Sequence, residues 1–278
     1  KTVTSTKTFR RIYFDWEDND IAQEHEVYPP FEPVGVAGRE CTTVGRTYTF
    51  APTGTLDSVV SLGRELLARP MTLVARSDGK QLEWTDGEVV GRAVYPNLAE
   101  FTGSARAGEV RLTSRCEVEE DGLVKVTLAL APAGESARLD ALTLDIPLKD
   151  AETPLFHYVH DNTMRHNYAG KTPRGGKIAW DVKTQFWCPV VWHAEKGADA
   201  SPDTPGGNEI WNSTQVKQWN NHLKRDWRPF CPYVWLGAEA RGLAWIGENE
   251  RGYSVVEGQP IQRVIRKGNE VIIRVHLV

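Results

Sequence analysis

The sequence predicts an all-β protein, built as one large antiparallel β-sandwich with little helix. Apolar and polar residues alternate with a period of two in many short segments. In segment 109–118, for example, Val110 and Leu112 alternate with Arg111 and Thr113, which is typical of a half-buried strand. The 24 glycines and 16 prolines are spread along the chain as turn residues rather than collected in a linker. Many short strands separated by turns favour a sandwich.

Three hairpins are predicted where two alternating segments flank a short turn. The turns lie at Asp78-Gly79, Asp121-Gly122 and Gly268-Asn269, and such dipeptides accept the positive φ angles of tight hairpin turns. Segment 139–148 predicts another strand. Segment 56–67 has apolar residues at helical spacing, but Gly63 interrupts it, so a strand is favoured there over a helix.

The domain organisation predicted is a single domain over residues 1–278. A stretch rich in tryptophan and histidine, around 151–230, interrupts it as an insertion. Eight of the ten tryptophans lie between residues 180 and 245. That concentration is the first sign of a functional surface, because indole rings form either a core or a stacking surface.

The overall charge excludes some classes of partner. The chain has 33 Lys and Arg against 37 Asp and Glu, a formal net charge of −4, so no global positive field attracts nucleic acid or an anionic membrane. Its longest apolar runs fall far short of a membrane span. The four cysteines are well separated, which indicates neither a metal site nor a disulfide scaffold, and their pairing stays open.

Two groups of polar residues are candidate sites of chemistry. His157, His160, Asp161 and His166 resemble a set of metal ligands, but a loop of solvated histidines is favoured, and neither a metal nor another cofactor is predicted. Glycoside hydrolysis requires two carboxylates. Glu248 and Glu250 are candidates, although Arg251 beside them fits an ion-paired turn equally well.

Three tryptophans in a polar context predict a stacking surface. Trp211, Trp219 and Trp227 recur every eight residues among Asn, Gln, Lys and Arg. Contact with carbohydrate or with another domain is favoured there, a buried aromatic cluster is the alternative, and single-stranded nucleic acid is disfavoured by the acidity of the chain. The candidate residues for carbohydrate binding or a domain interface are Trp211, Trp219, Trp227, Trp235, Trp245, Glu248, Glu250 and Arg251.

Seven segments, in order along the chain, resemble one known family. They are WEDNDI (16–21), PFEPV (30–34), GRTYTF (45–50), ELLARPM (65–71), PYVWLG (232–237), RGLAW (241–245) and ENERGY (248–253). The chain is similar to the N-terminal β-sandwich domain of the glycoside hydrolase family 123 group, whose characterised members are β-N-acetylgalactosaminidases.

The resemblance implies an accessory role. In that family a catalytic barrel follows the sandwich and carries an adjacent Asp-Glu pair, whereas this sequence contains no Asp-Glu dipeptide and ends about where the sandwich is expected to finish. The expected function is therefore a non-catalytic domain of a secreted or cell-envelope bacterial enzyme, with carbohydrate or a catalytic barrel as partner. A stand-alone enzyme, using Glu248, Glu250, His157 or His160 as acid and base, and an adhesive or structural sandwich remain as alternatives.

Overall fold

The computed structural model of the chain is almost entirely β. It describes residues 5–18, 25–159, 169–174, 178–180, 192–194, 208–213, 231–249, 251–253, 256 and 259–277. The helical element whose full extent lies in the described residues is a 3-10 turn, Asp150–Glu152. The strands are β1 (Gly35–Ala37), β2 (Glu40–Thr43), β3 (Arg46–Phe50), β4 (Leu56–Ser61), β5 (Arg64–Glu65), β6 (Thr72–Ser77), β7 (Lys80–Leu82), β8 (Thr85–Tyr95), β9 (Leu98–Ala107), β10 (Val110–Glu119), β11 (Val124–Pro132), β12 (Ala141–Lys149), β13 (Leu155–Val159), β14 (Ala169–Lys171), β15 (Ile178–Trp180), β16 (Trp192–Ala194), β17 (Asn208–Asn212), β18 (Tyr233–Ala238), β19 (Arg241–Ile246), β20 (Gln262–Lys267) and β21 (Glu270–His276).

The strands form four antiparallel sheets of four to six strands and one two-stranded ribbon, β15-β16. We name them sheet I (β1-β2-β3-β4-β5), sheet II (β11-β10-β9-β8), sheet III (β17-β20-β21-β12-β6-β7) and sheet IV (β14-β13-β18-β19). The all-β, antiparallel prediction is confirmed. The four small sheets are arranged in a ring, as blades are in a propeller, rather than in two large stacked layers as in the sandwich prediction. Periodicity identifies strands but not how many layers they form.

The three predicted hairpins are confirmed by strand register. Ser77 pairs with Lys80, Val118 with Val124, and Lys267 with Glu270, each across its predicted turn. The strand predicted in segment 139–148 is confirmed, since β12 spans Ala141–Lys149. Segment 56–67 forms β4 and β5, joined by a tight turn at Leu62 and Gly63, whose φ angles are 48° and 73°. The strand interpretation of that segment is therefore correct.

The sheets share one main core, to which each contributes its apolar face. Phe50 of sheet I stacks on Phe101 of sheet II, with ring centroids 4.2 Å apart. Leu112 of sheet II packs in a second cluster with Leu73 and Ala75 of sheet III. Such contacts between distant segments hold the ring of sheets together, because each sheet alone buries only one face.

Trp211 of β17 links sheet III to sheet IV. Its side chain is 0% exposed. Its ring centroid lies 4.7 Å from that of Tyr158 and 5.8 Å from that of Phe156, both on β13. These are the distances at which aromatic pairs attract beyond the burial of their area.

Glu152 links three sheets through charge. It lies in the 3-10 turn that follows β12 of sheet III, and it is 8% exposed. Arg241 of sheet IV donates from Nε to its Oε2 over 2.7 Å, and Arg64 of sheet I donates to its Oε1 over 3.2 Å. The hydrogen bond from Arg241, which outweighs the effect of burial, lowers the pKa of Glu152 below its ordinary value.

We expect Trp211→Ala to lower the free energy of unfolding by about 3–5 kcal/mol, because the change removes a fully buried ring and leaves a cavity. Trp16→Ala is the matched control, since Trp16 is 68% exposed and its loss should change stability by less than about 0.5 kcal/mol. Urea denaturation of both variants measures this. Equal small losses would contradict a core role for Trp211.

We expect Glu152→Gln to lower the free energy of unfolding by about 1–3 kcal/mol at neutral pH, the range for hydrogen bonds to charged groups. Glu109→Gln is the control, because the side chain of Glu109 is 67% exposed and its ion pair with Arg106 spans 3.7 Å. Denaturant titrations at pH 7 compare the two. If Glu152→Gln lowers the free energy of unfolding no more than Glu109→Gln does, the hydrogen bonds of Glu152 with Arg64 and Arg241 do not stabilise the fold.

The effect of Glu152→Gln should also depend on pH. Because the folded-state pKa of Glu152 is lowered, its contribution is complete above the unfolded-state pKa of about 4.3 and is lost as the pH falls through the folded-state value. The difference in unfolding free energy between parent and variant should therefore shrink below about pH 4.3. A difference that stayed constant or grew in acid would rule out an ionised Glu152 as its source.

Candidate functional site

Sheet IV has one face in the core and one face outside it. Successive residues of a strand point to opposite faces. Phe156, Tyr158, Val234 and Leu236 are buried in the main core. The register of β13, β18 and β19 therefore places the alternate residues on the outer face, which we call the sheet IV platform. Its described residues are Leu155, His157, Val159, Ala169, Lys171, Tyr233, Trp235, Gly237, Gly242, Ala244 and Ile246.

Trp235 lies flat on this platform above a pair of glycines. Gly237 and Gly242 face each other across β18 and β19. A Cβ atom on Gly242 would lie 2.6–2.7 Å from Nε1, Cε2 and Cζ2 of Trp235, and one on Gly237 would lie 2.5 Å from Cζ2. Near-equal distances to three adjacent ring atoms mean that the face of the indole, not its edge, covers the glycine. The two glycines thus make room for the ring, and its second face is directed away from the sheet.

His157 and Tyr233 flank Trp235. His157 is the cross-strand partner of Trp235, so their Cβ atoms are near neighbours. The rings of His157 and Tyr233 meet edge to face, with centroids 5.5 Å apart. Burial lowers the pKa of His157 and raises that of Tyr233, which keeps both side chains uncharged at neutral pH. Each remains a hydrogen-bonding group beside a flat ring.

The burial of Trp211 corrects one prediction. The sequence placed Trp211 on an exposed stacking surface, whereas its ring is completely buried. Its polar neighbours are used inside the protein, since the Oγ of Ser213 accepts from the backbone N–H groups of Ile261 and Gln262 at 3.0 and 3.1 Å. Polar residues next to a tryptophan in sequence thus do not show that the ring is exposed. Trp219 and Trp227 lie outside the described residues.

The structure separates the other candidate residues. Trp245 is on β19, on the opposite face of sheet IV from Trp235, where it packs against the core and meets Tyr253 edge to face at 5.9 Å. Glu248 is exposed in the turn after β19 and its Oε1 lies 3.3 Å from Nζ of Lys125. Arg251 is exposed, and its backbone N–H donates to the Asn249 side chain. Glu250 lies outside the described residues.

Several buried carboxylates among the described residues accept hydrogen bonds from arginine. Glu100 accepts from Arg92 at 2.7 Å and from Arg115 at 2.6 Å. These hydrogen bonds, with that from Arg115 the larger, lower the pKa of Glu100. Asp145 accepts two hydrogen bonds from Arg274, at 2.7 and 2.8 Å. A general acid requires a raised pKa, so this arrangement suits structure rather than catalysis.

The described residues offer no metal centre and no reactive thiol. No three His, Cys, Asp or Glu side chains among them are placed to hold a metal ion. His157 lies on a strand rather than in a solvated loop, while His160, Asp161 and His166 lie outside the described residues. Cys41 and Cys116 are free and buried, and burial raises the pKa of Cys41 to about 11 and that of Cys116 to about 12. Cys231 is buried, and its Sγ lies 3.3 Å from the backbone oxygens of Val159 and Tyr233. Cys188 is not among the described residues.

None of the helical structure described for this chain is long and apolar enough to cross a membrane.

Sequence reasoning named Trp235 but missed the residues that shape its surroundings. The signal was present, because a glycine two positions after Trp235 shares its face on the same strand. Gly242, at the start of the next strand, falls opposite that glycine once the hairpin forms. Tyr233 could have been found in the same way, two positions before Trp235 on the same face.

Comparison with known proteins identifies the family. A search of curated proteins found no match to the chain. The family model described as "Glycoside hydrolase 123, third domain" matches residues 34–194, more than half of the chain. The resemblance inferred from the seven segments is thereby confirmed at the level of the family, although the matched model describes a third domain rather than an N-terminal one. The chain belongs to glycoside hydrolase family 123.

Proposed function

We propose that the chain is an accessory, non-catalytic domain of a glycan-degrading glycoside hydrolase, which packs on a catalytic domain and contacts carbohydrate. The observation that carries the proposal is the match to the third domain of glycoside hydrolase family 123. A domain described as the third in a glycoside hydrolase family is expected to lie beside other domains of the same enzyme. The resemblance to secreted bacterial relatives supports a location in the cell envelope or outside the cell.

The buried carboxylates that are paired with arginine support a non-catalytic role. Glycoside hydrolysis needs one carboxyl group with a raised pKa close to a second carboxylate. Among the described residues, the buried Glu100 and Glu152 have lowered pKa values because arginines donate hydrogen bonds to them. The exposed Glu248 forms an ion pair with Lys125, with Oε1 and Nζ 3.3 Å apart.

An exposed aromatic arm supports packing against another domain. Residues 5–18 have no regular secondary structure. Phe9, Tyr13 and Trp16 in this arm are 89%, 69% and 68% exposed. Local contacts shape it, for example the ion pair of Arg11 with Glu17 at 2.7 Å. Large aromatic side chains concentrated on one exposed segment are typical of a surface that another protein surface covers.

We expect the purified chain to release no sugar from a β-N-acetylgalactosaminide substrate. The reason is chemical, since its sequence has no Asp-Glu pair and its described buried glutamates are held ionised by arginine. A chromogenic assay with a catalytic domain of the family as positive control measures this. Turnover by the chain that Glu248→Gln abolishes and Glu109→Gln preserves would establish the stand-alone enzyme instead.

We expect the double substitution Phe9→Ser and Tyr13→Ser to weaken association with a separately produced catalytic domain of the family by about tenfold or more, because aromatic residues at an interface often contribute over 1 kcal/mol each. Leu62→Ser with Val90→Ser is the matched control, since these side chains are 60% and 66% exposed outside the arm. Biosensor titrations measure both. Equal affinity of the two double variants would argue against the arm as the interface.

A further inference from the structure

The sheet IV platform is built to display one flat ring. Gly237 and Gly242 leave the space that the Trp235 indole fills, and the ring covers Gly242 with its face. Core-facing neighbours such as Tyr158 and Leu236 lie on the other side of the sheet and are buried. The half-buried Trp235 ring therefore lies on the face of sheet IV opposite the described core.

Exposed residues of β19 lie beside the ring. Trp235 pairs across the strands with the exposed Ala244, which is small, and Ile246 at the end of the same row is 56% exposed. Small residues beside a flat ring leave room for a flat ligand to extend along the sheet. His157 on the neighbouring strand β13 and Tyr233 on β18 add an imidazole and a phenol beside the ring. Both groups can donate and accept hydrogen bonds.

The charge of the platform limits the chemical class of ligand. Lys171, at the corner opposite Leu155, is the one side chain of permanent charge among its described residues. Burial lowers the pKa of His157, so the imidazole is neutral at neutral pH. An anionic polymer such as nucleic acid requires a row of positive charges along its backbone. An uncharged ligand fits better.

We propose that the sheet IV platform binds an uncharged sugar ring of a glycan, which stacks its C–H face on Trp235 and exchanges hydrogen bonds with His157 and Tyr233. Sugar rings combine apolar C–H faces with hydroxyl groups at their edges, the two features that a flat indole bordered by polar groups complements. This inference rests on the proposed function and assigns the carbohydrate contact to one surface.

The test is calorimetric titration of the chain with soluble oligosaccharides of glucose, N-acetylglucosamine and N-acetylgalactosamine. We expect at least one to bind, and Trp235→Ala to weaken it about tenfold or more, as loss of a stacking ring does elsewhere. Gly242→Ala keeps the ring but forces it to move, so it should weaken binding as well. Tyr28→Ala, which removes an exposed ring outside sheet IV, should leave binding unchanged.

Folding of each variant is checked by its melting temperature, and Tyr233→Phe serves as a variant that removes one hydroxyl group only. Weaker sugar binding in a folded Tyr233→Phe or Gly242→Ala protein supports the site even if Trp235→Ala is unstable. Failure of all three oligosaccharides to bind the parent chain, or unchanged binding in folded Trp235→Ala, overturns it.

Titration with the separately produced catalytic domain distinguishes this inference from the proposed function. If Trp235→Ala weakens association with that domain but leaves sugar binding intact, the platform is a domain interface. The sugar site is then overturned while the accessory role stands. If the parent chain binds sugar through Trp235 but never associates with a catalytic domain, the platform stands and the packing proposal fails.

Discussion

The hydrogen-bonded clamp at Glu152 is the interaction on which the rest of the structure depends most. A single carboxylate accepts from Arg64 and from Arg241, and so joins sheets I and IV to the turn after β12 of sheet III. Backbone hydrogen bonds from Ala68 to Pro147 and from Lys149 to Leu66 also join the end of sheet I to β12 of sheet III, whereas Glu152 adds side-chain contacts that reach sheet IV. The pair of Glu152 with Arg241 is well suited to this, because both side chains are largely buried, and removal of Glu152 takes from Arg241 its carboxylate partner.

The clamp also positions the candidate binding surface. Arg241 is the first residue of β19 and precedes Gly242, which lies beneath the Trp235 ring. Holding Arg241 in place therefore fixes the hairpin end on which the indole rests. On the opposite side of the same sheet, Tyr158 packs against Trp211 of sheet III. Charge and aromatic packing together thus hold sheet IV by one face, and Trp235 lies on the other face.

The sequence predicted local structure well and long-range arrangement poorly. The Asp-Gly turns and the alternation in β10 identified hairpins because both depend on neighbouring residues. The division into four sheets depends on pairings such as β12 with β6 and β21, which no local period encodes. Trp211 was misplaced for a similar reason, because the partners of its polar neighbour Ser213 come from β20 and the residue before it. The flat setting of Trp235 was predictable only once Gly237 and Gly242 faced each other.

We propose that a glycan contacts Trp235 and not Trp211, whose ring is completely buried. Nuclear magnetic resonance of the indole N–H signals, during titration with the oligosaccharide that binds, tests it directly. Trp235→Phe and Trp211→Phe assign the two signals. The account predicts that the Trp235 signal shifts in proportion to saturation while the Trp211 signal stays in place. A shift of the Trp211 signal with the Trp235 signal unmoved would contradict it.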